Sequence, residues 1–240
     1  MSRAALGLAV VLLAGCVRDD GAALVFAAAS TADVVQAVVE AETDVGRSAS
    51  VSVGASSVLA RQIARGAPAD VFVTADPEWI DWLIAQGVPA AARREVARGR
   101  LVVVGPPDVP RERSVADALA PAARIALADP SHVPAGAYAE AALRDLGLWD
   151  QVATRVVAAG DVRAALAAVE TGTADRAVVY ASDALASSRV RVLADMPEAA
   201  TPDIRYEAAL LDPTDGRALF DALVDARDLW VAAGFEPARP

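Results

Sequence analysis

Four positions of the chain carry the chemistry of helix starts. Ser30, Ser56, Ala135 and Val162 each fall where a helical pattern begins, most of them just beyond an apolar, strand-like run. The first turn of a helix leaves backbone N–H groups without intrahelical acceptors and carries a partial positive charge. Several such ends converging on one point make an anion site. In open α/β sheets, ligands also sit beyond the carboxyl ends of the strands. A single serine at a helix start is ordinary capping, so the recurrence carries the signal.

Other chemistries fit less well. Ser56-Ser57 lacks the G-x-S-x-G frame of a nucleophile elbow. The single histidine, His132, lies in the turn-like stretch Asp129-Pro130-Ser131-His132, and a serine hydrolase built on Ser56 would need it as base. There is no Gly-rich phosphate loop, no C-x-x-C and no H-E-x-x-H. Asp70, Asp76, Asp129 and Asp183 stand at strand ends or helix caps, where structural roles are expected rather than metal ligation. The expectation is no catalytic residue, no directly ligated metal and no cofactor.

The elements that must position these residues alternate along the chain. Apolar runs at 24–28, 50–54, 71–74, 101–104, 125–128, 177–180, 190–193 and 204–210 read as strands. Helical patterns cover 31–42, 57–65, 77–86, 135–146, 162–170 and 215–233. This alternation is the signature of an α/β fold with parallel sheets. Asp76-Pro77 and Asp161 supply N-cap chemistry, and Ser30-Thr31-Ala32-Asp33 has capping-box spacing. Pro106-Pro107-Asp108-Val109-Pro110 is the strongest break and a place where two domains can meet.

Composition narrows the function classes. Among 240 residues, 22 are basic, all of them arginine, and 32 are acidic, for a net charge of −10. An acidic chain is a poor nucleic-acid binder. With 55% hydrophobic residues it is too apolar for a disordered chain, and it lacks the repeated apolar runs of about 20 residues that a polytopic membrane protein needs. At the N-terminus, Arg3 precedes the apolar run Ala4–Leu13 and then Leu13-Ala14-Gly15-Cys16. That order is a signal peptide. Its end resembles the lipobox of bacterial lipoproteins, which implies lipidation of Cys16 after removal of residues 1–15, with 16–21 as a tether.

A resemblance extends over nearly the whole remaining chain. The blocks are Ala27-Ala28-Ala29-Ser30, Gly54-Ala55-Ser56-Ser57, Gly66-Ala67-Pro68-Ala69-Asp70-Val71-Phe72 and Ala75-Asp76-Pro77-Glu78-Trp79. They continue through Asp129-Pro130-Ser131-His132-Val133-Pro134-Ala135-Gly136, Asp161-Val162-Arg163-Ala164-Ala165-Leu166, Val178-Val179-Tyr180-Ala181-Ser182-Asp183-Ala184 and Gly234-Phe235. In this order they resemble the molybdate-binding proteins of bacterial ABC importers.

The resemblance implies a type II periplasmic-binding-protein fold of two lobes, each a mostly parallel sheet flanked by helices, with the ligand in the cleft. Lobe one would hold residues 22–103 and 207–240, and lobe two residues 104–206. The implied oxyanion contacts are Ser30, Ser56, Ala135, Val162 and Tyr180, with Ser57 an alternative to Ser56. The implied ligand is molybdate or tungstate. The implied partners are a membrane permease with its ATPase, reached by a monomer anchored outside the cell membrane or free in the periplasm. A tungstate or sulfate receptor, a hydrolase using Ser56 with His132, and an anion sensor or adhesion module without a transporter remain as alternatives.

Overall fold

The computed structural model describes residues 22–239; the signal, Cys16 and the tether lie outside the described residues. In chain order the strands are β1 (Ala23–Ala28), β2 (Ala49–Gly54), β3 (Val71–Thr74), β4 (Ala92–Gly99), β5 (Leu101–Gly105) and β6 (Ile125–Ala128). They continue with β7 (Val156–Ala159), β8 (Arg176–Tyr180), β9 (Arg191–Asp195), β10 (Ile204–Leu210) and β11 (Glu236–Pro237). The helices are α1 (Ala32–Asp44), α2 (Ser56–Ala64), α3 (Glu78–Ala85), α4 (Val115–Leu119), α5 (Pro134–Asp145) and α6 (Trp149–Val152). After them come α7 (Val162–Glu170), α8 (Ala181–Leu185), α9 (Arg217–Asp225) and α10 (Arg227–Ala232).

These strands form two sheets, ordered β11-β4-β10-β3-β1-β2 and β7-β6-β8-β5-β9. β3 and β6 are buried at every position. Helices covering both faces of a sheet explain why these short runs are continuously apolar. The sheets are mixed rather than mostly parallel. β1 pairs parallel with β2 and β3, and β6 with β7 and β8, whereas β5 and β10 run antiparallel to their neighbours. The antiparallel strands are those that carry the chain into or back from a sheet.

The crossings fall elsewhere than the Pro-rich break suggests. β4 closes the first sheet at Gly99 and β5 opens the second at Leu101, so the chain changes sheets at Arg100. Leu101–Val103, expected in lobe one, pair with β8 and β9 in the second sheet. The return lies between Asp195 and Ile204, ahead of the expected 206/207 boundary, because Ile204–Tyr206 already pair with β4. Pairing with partners many residues away fixed both positions.

β4 was not expected as a strand. Its sequence, Ala-Arg-Arg-Glu-Val-Ala-Arg-Gly, has no apolar alternation. Two of its three arginines are ion-paired: Arg93 with Glu207 at 2.7 Å, Arg98 with Glu95 at 2.8 Å, and Arg98 with Asp203. The helical pattern at 215–233 breaks into two at Ala226. There the Leu223 carbonyl, which a continuous helix would offer to the N–H four residues on, accepts from the Trp230 indole at 3.0 Å. An aromatic chain then links the lobes: Trp230 to Phe235, Phe235 to Tyr206, and Tyr206 to Tyr180, all edge-on with centroids 5.2, 4.9 and 5.6 Å apart.

Candidate functional site

Ser30 lies in a 3-10 turn, Ala29–Thr31, between the end of β1 and α1. The capping box suggested by its spacing does not form. α1 starts behind Thr31 without a side-chain cap, and the Thr31 hydroxyl donates to the Ala28 carbonyl at 2.8 Å. Asp33 instead turns outward to Arg163. Ser30 is therefore buried with no capping task.

Ser56 is the first residue of α2, directly beyond β2. Its Oγ accepts the Ala75 N–H at 3.1 Å. With that lone pair engaged, the hydroxyl hydrogen is left to donate. Ser57 is buried deeper, and its Oγ has no partner; it is Ser56 that faces the cleft.

The second lobe offers backbone donors. Pro134 occupies the first turn of α5, so the earliest N–H of that helix belongs to Ala135. The helix start rests directly on the end of β6. A Cβ on Gly136 would stand 2.0 Å from the Ala128 carbonyl oxygen, so only glycine fits. Val162 opens α7 behind Asp161, whose Oδ1 accepts the Ala164 N–H at 2.8 Å.

Ser30, Ser56, Ala135 and Val162 line one cavity of about 20 Å³, together with Ala28, Ala29, Ala55, Ala75, Val133, Pro134 and Asp161. Larger hollows exist elsewhere on the molecule, but this one joins the ends of strands from both sheets. A volume of that order admits one small molecule or ion. Asp161 is the one carboxylate on its wall, and it is occupied as the α7 cap.

Tyr180, the remaining expected contact, is not on that wall. It ends β8 deep in the interior, its N–H donating to Asp183 at 3.3 Å and its hydroxyl lacking a partner. Tyr206 lies against it edge-on, and its hydroxyl, beside those of Ser30 and Tyr180, likewise completes no hydrogen bond. Burial pushes both phenols well above their usual pKa, so both remain protonated donors at neutral pH.

The rim is held by two contacts between the lobes. Arg163, next to Val162, bonds Asp33 on α1 at 2.7 Å and the fully buried Asp183 at 2.6 Å. On the far side Tyr138 of α5 lies beside Asp76, whose carboxyl burial pushes above its usual pKa. Sequence reasoning missed Arg163, Asp33 and Tyr206. The one signal was the adjacency of Arg163 to Val162.

The other singled-out groups have structural partners. Asp70 accepts the Leu24 N–H at 2.7 Å, Asp76 the Glu78 N–H at 3.0 Å, and Asp129 the Ser131 N–H at 2.9 Å. Among the described residues no group of three or more His, Cys, Asp or Glu side chains is placed to hold a metal ion. His132 stacks its contacts on its own turn, Nδ1 lying 3.0 Å from Ser131 Oγ, and it lines a separate hollow with Trp79 and Trp82. The structure does not bring it to Ser56.

Known proteins resemble this chain over most of its length. The family model for bacterial extracellular solute-binding proteins matches residues 23–236. The molybdate-binding protein ModA of Escherichia coli (strain K12) is 38% identical over 217 residues, covering 87% of this chain and 84% of its own length. That of Haemophilus influenzae is 34% identical over 226 residues, covering 88% of each. Among solved structures, the periplasmic molybdate-binding protein of Azotobacter vinelandii superposes with a TM-score of 0.79 at 23% identity, covering 90% of this chain and 100% of its own. The two mixed sheets are thus those of a periplasmic binding protein.

Proposed function

The chain belongs to the bacterial extracellular solute-binding protein family, and from that membership we propose that it captures molybdate outside the cell membrane and delivers it to the permease of an ABC importer. The observation that carries the reading is the convergence of Ser30, Ser56, Ala135 and Val162, two from each lobe, on one cavity of about 20 Å³. A space of that size suits a single tetrahedral ion and excludes sugars and peptides.

The donors suit the ion's charge. Molybdate is a dianion near neutral pH, and no arginine lines the cavity. Neutralisation rests on aimed dipoles: two serine hydroxyls, the first-turn N–H groups of α5 and α7, and the phenol of Tyr180 once the lobes close fully on the ion. Each hydrogen bond to a charged group contributes about 1.5–3 kcal/mol. Several together, less desolvation and ordering costs, give micromolar or tighter binding. Ala135 and Val162 serve in spite of inert side chains because only their backbones are used.

In this reading the bound ion is cargo, the chain acts as a monomer with no cofactor and no catalytic step, and Cys16 anchors it by lipid. The partners are the permease and its ATPase. Titration calorimetry against molybdate, tungstate, sulfate and phosphate tests the proposal. Molybdate binding at a stoichiometry of one supports it, and a protein that binds sulfate in preference to molybdate is a sulfate receptor on the same scaffold.

A further inference from the structure

Besides that of Ser57, the neighbour of Ser56, two buried hydroxyls among the described residues have no partner, those of Tyr180 and Tyr206. An unpartnered buried donor is costly and calls for a specific structural or functional explanation. Tyr180 belongs to the proposed contacts. Tyr206 does not. It sits on β10, in the segment by which the chain returns to the first sheet, and it lines no part of the cavity wall.

The fold holds this ring in place closely. Its edge meets Tyr180 of the other lobe and Phe235 of its own. A Cβ on Gly99 would lie 2.9 Å from Tyr206 Cε2 and 3.4 Å from its hydroxyl, so the ring occupies room that only glycine leaves. The β10–β4 register shifts between Tyr206 and Glu207, a bulge of the kind that re-aims a side chain. The hydroxyl so aimed faces that of Ser30, which itself lines the cavity.

Ser56 provides the comparison. Its Oγ already accepts from the Ala75 N–H, which commits its own hydrogen to donation. Ser30 has no such backbone donor among its hydrogen bonds, and a free hydroxyl can rotate to accept as readily as donate. We infer that Tyr206 is a positioning residue of the anion site: within the first lobe its hydroxyl donates to Ser30 Oγ when the anion binds, fixing the Ser30 hydrogen on the bound oxyanion. Resting on the proposed reading of the site, this makes Tyr206 a determinant of selectivity. With both serines committed to donation, a protonated anion such as hydrogen phosphate finds no serine acceptor, whereas a fully deprotonated one is served.

The test is Tyr206→Phe, which keeps the ring and its edge contacts. Wild-type titration comes first, since failure to bind any oxyanion of the panel rejects the reading of the site and this inference with it. Given wild-type binding, Tyr206→Phe weakens molybdate about fivefold or more and narrows the preference for molybdate over hydrogen phosphate near pH 7. In a Ser30→Ala background the same substitution changes molybdate affinity by less than about twofold, the coupling expected of groups acting through each other. Unchanged affinity and unchanged preference, or an equal loss in both backgrounds, rejects the inference while leaving the site reading intact. A measurement without substitution guards against a misfolded variant. The Cζ resonance of ¹³C-labelled Tyr206 moves on saturation with molybdate, and a resonance that stays put overturns the assignment.

Discussion

Arg163 ties the two lobes together through Asp33. Its Nη2 stands 2.7 Å from the Asp33 carboxylate on α1, while its Nε, 2.6 Å from Asp183, anchors the same guanidinium in its own lobe. One end of this bridge is fully buried and the other is mostly exposed, and the two ends differ accordingly in what they contribute. The exposed Asp33 contact is a closure latch of modest strength. The buried Asp183 contact is structural.

The first prediction follows from that asymmetry. Asp33→Asn is expected to leave the fold intact and to weaken molybdate by no more than about fivefold, because exposed ion pairs contribute only about 0–1 kcal/mol. Its dissociation rate rises and the effect fades with added salt. Stopped-flow release measured across ionic strength checks this.

Arg163→Met leaves the buried Asp183 carboxyl without its guanidinium and is expected to destabilise the protein by up to about 3–5 kcal/mol, the carboxyl taking up a proton rather than standing charged and unpaired. Burial holds the Asp183 carboxyl at about 6 even with the guanidinium beside it, above the ordinary 3.8. The folded state therefore binds this proton more tightly than the unfolded chain does. The group's contribution is fully present below about 3.8 and is lost as pH rises through about 6. Without Arg163 the loss extends to higher pH. Denaturant melts of both proteins between pH 4 and 8 would reveal it, and parallel profiles would refute it.

Removing the hydroxyls separates the binding reading from the hydrolytic one. Ser30→Ala and Ser56→Ala each weaken molybdate at least about tenfold, as expected when one hydrogen bond to a charged group is lost. Ser56→Ala additionally leaves the buried Ala75 N–H unpaired. His132→Ala changes affinity little. Calorimetry on the three variants checks the order, and loss of binding in His132→Ala alone would reverse it.

Gly136 is expected to be the least tolerant position of the site. Alanine there drives its Cβ against the Ala128 carbonyl, pushing the start of α5 and its Ala135 N–H off the cavity. Overpacking of this kind costs about 1–3 kcal/mol or more. A lowered melting temperature with at least tenfold weaker molybdate binding is expected, and a variant that binds like wild type would show the Ala135 donor to be dispensable.

Selectivity follows from a cage dominated by donors. Molybdate and tungstate are expected to bind similarly, sulfate far more weakly because fixed backbone donors cannot follow a smaller ion inward, and phosphate hardly at all because its proton lacks a free acceptor. Competition calorimetry near pH 7 decides it. Phosphate binding as tight as molybdate would mean that Asp161 or a serine accepts.

Anchoring is tested at Cys16. Cys16→Ser is expected to lose membrane retention and detergent-phase partitioning while keeping its affinity, and unchanged partitioning would exclude lipidation.

Much of this protein is written locally. The runs 71–74 and 125–128 read as strands and are strands, because strands buried at every position are made almost wholly of apolar residues. Val162 stands at the first position of its helix, as cap chemistry and periodicity indicated, while α2 begins at Ser56, one residue ahead of the expected start at 57. What sequence left open depended on partners far along the chain. β4 is a strand because it pairs along its length with β10, where Arg93 meets Glu207 and Arg98 meets Asp203 just ahead of that strand. Leu101 lies in the second sheet because its pairing partner is Tyr180. Asp33 abandons its capping box because Arg163 reaches it from the other lobe, and Tyr206 acquires its place only where Gly99, Phe235 and Tyr180 close around it. Periodicity and caps record each residue's relation to its own helix or strand. Charge neutralisation and ring packing across a cleft join residues with no local relation, so only the folded chain decides them.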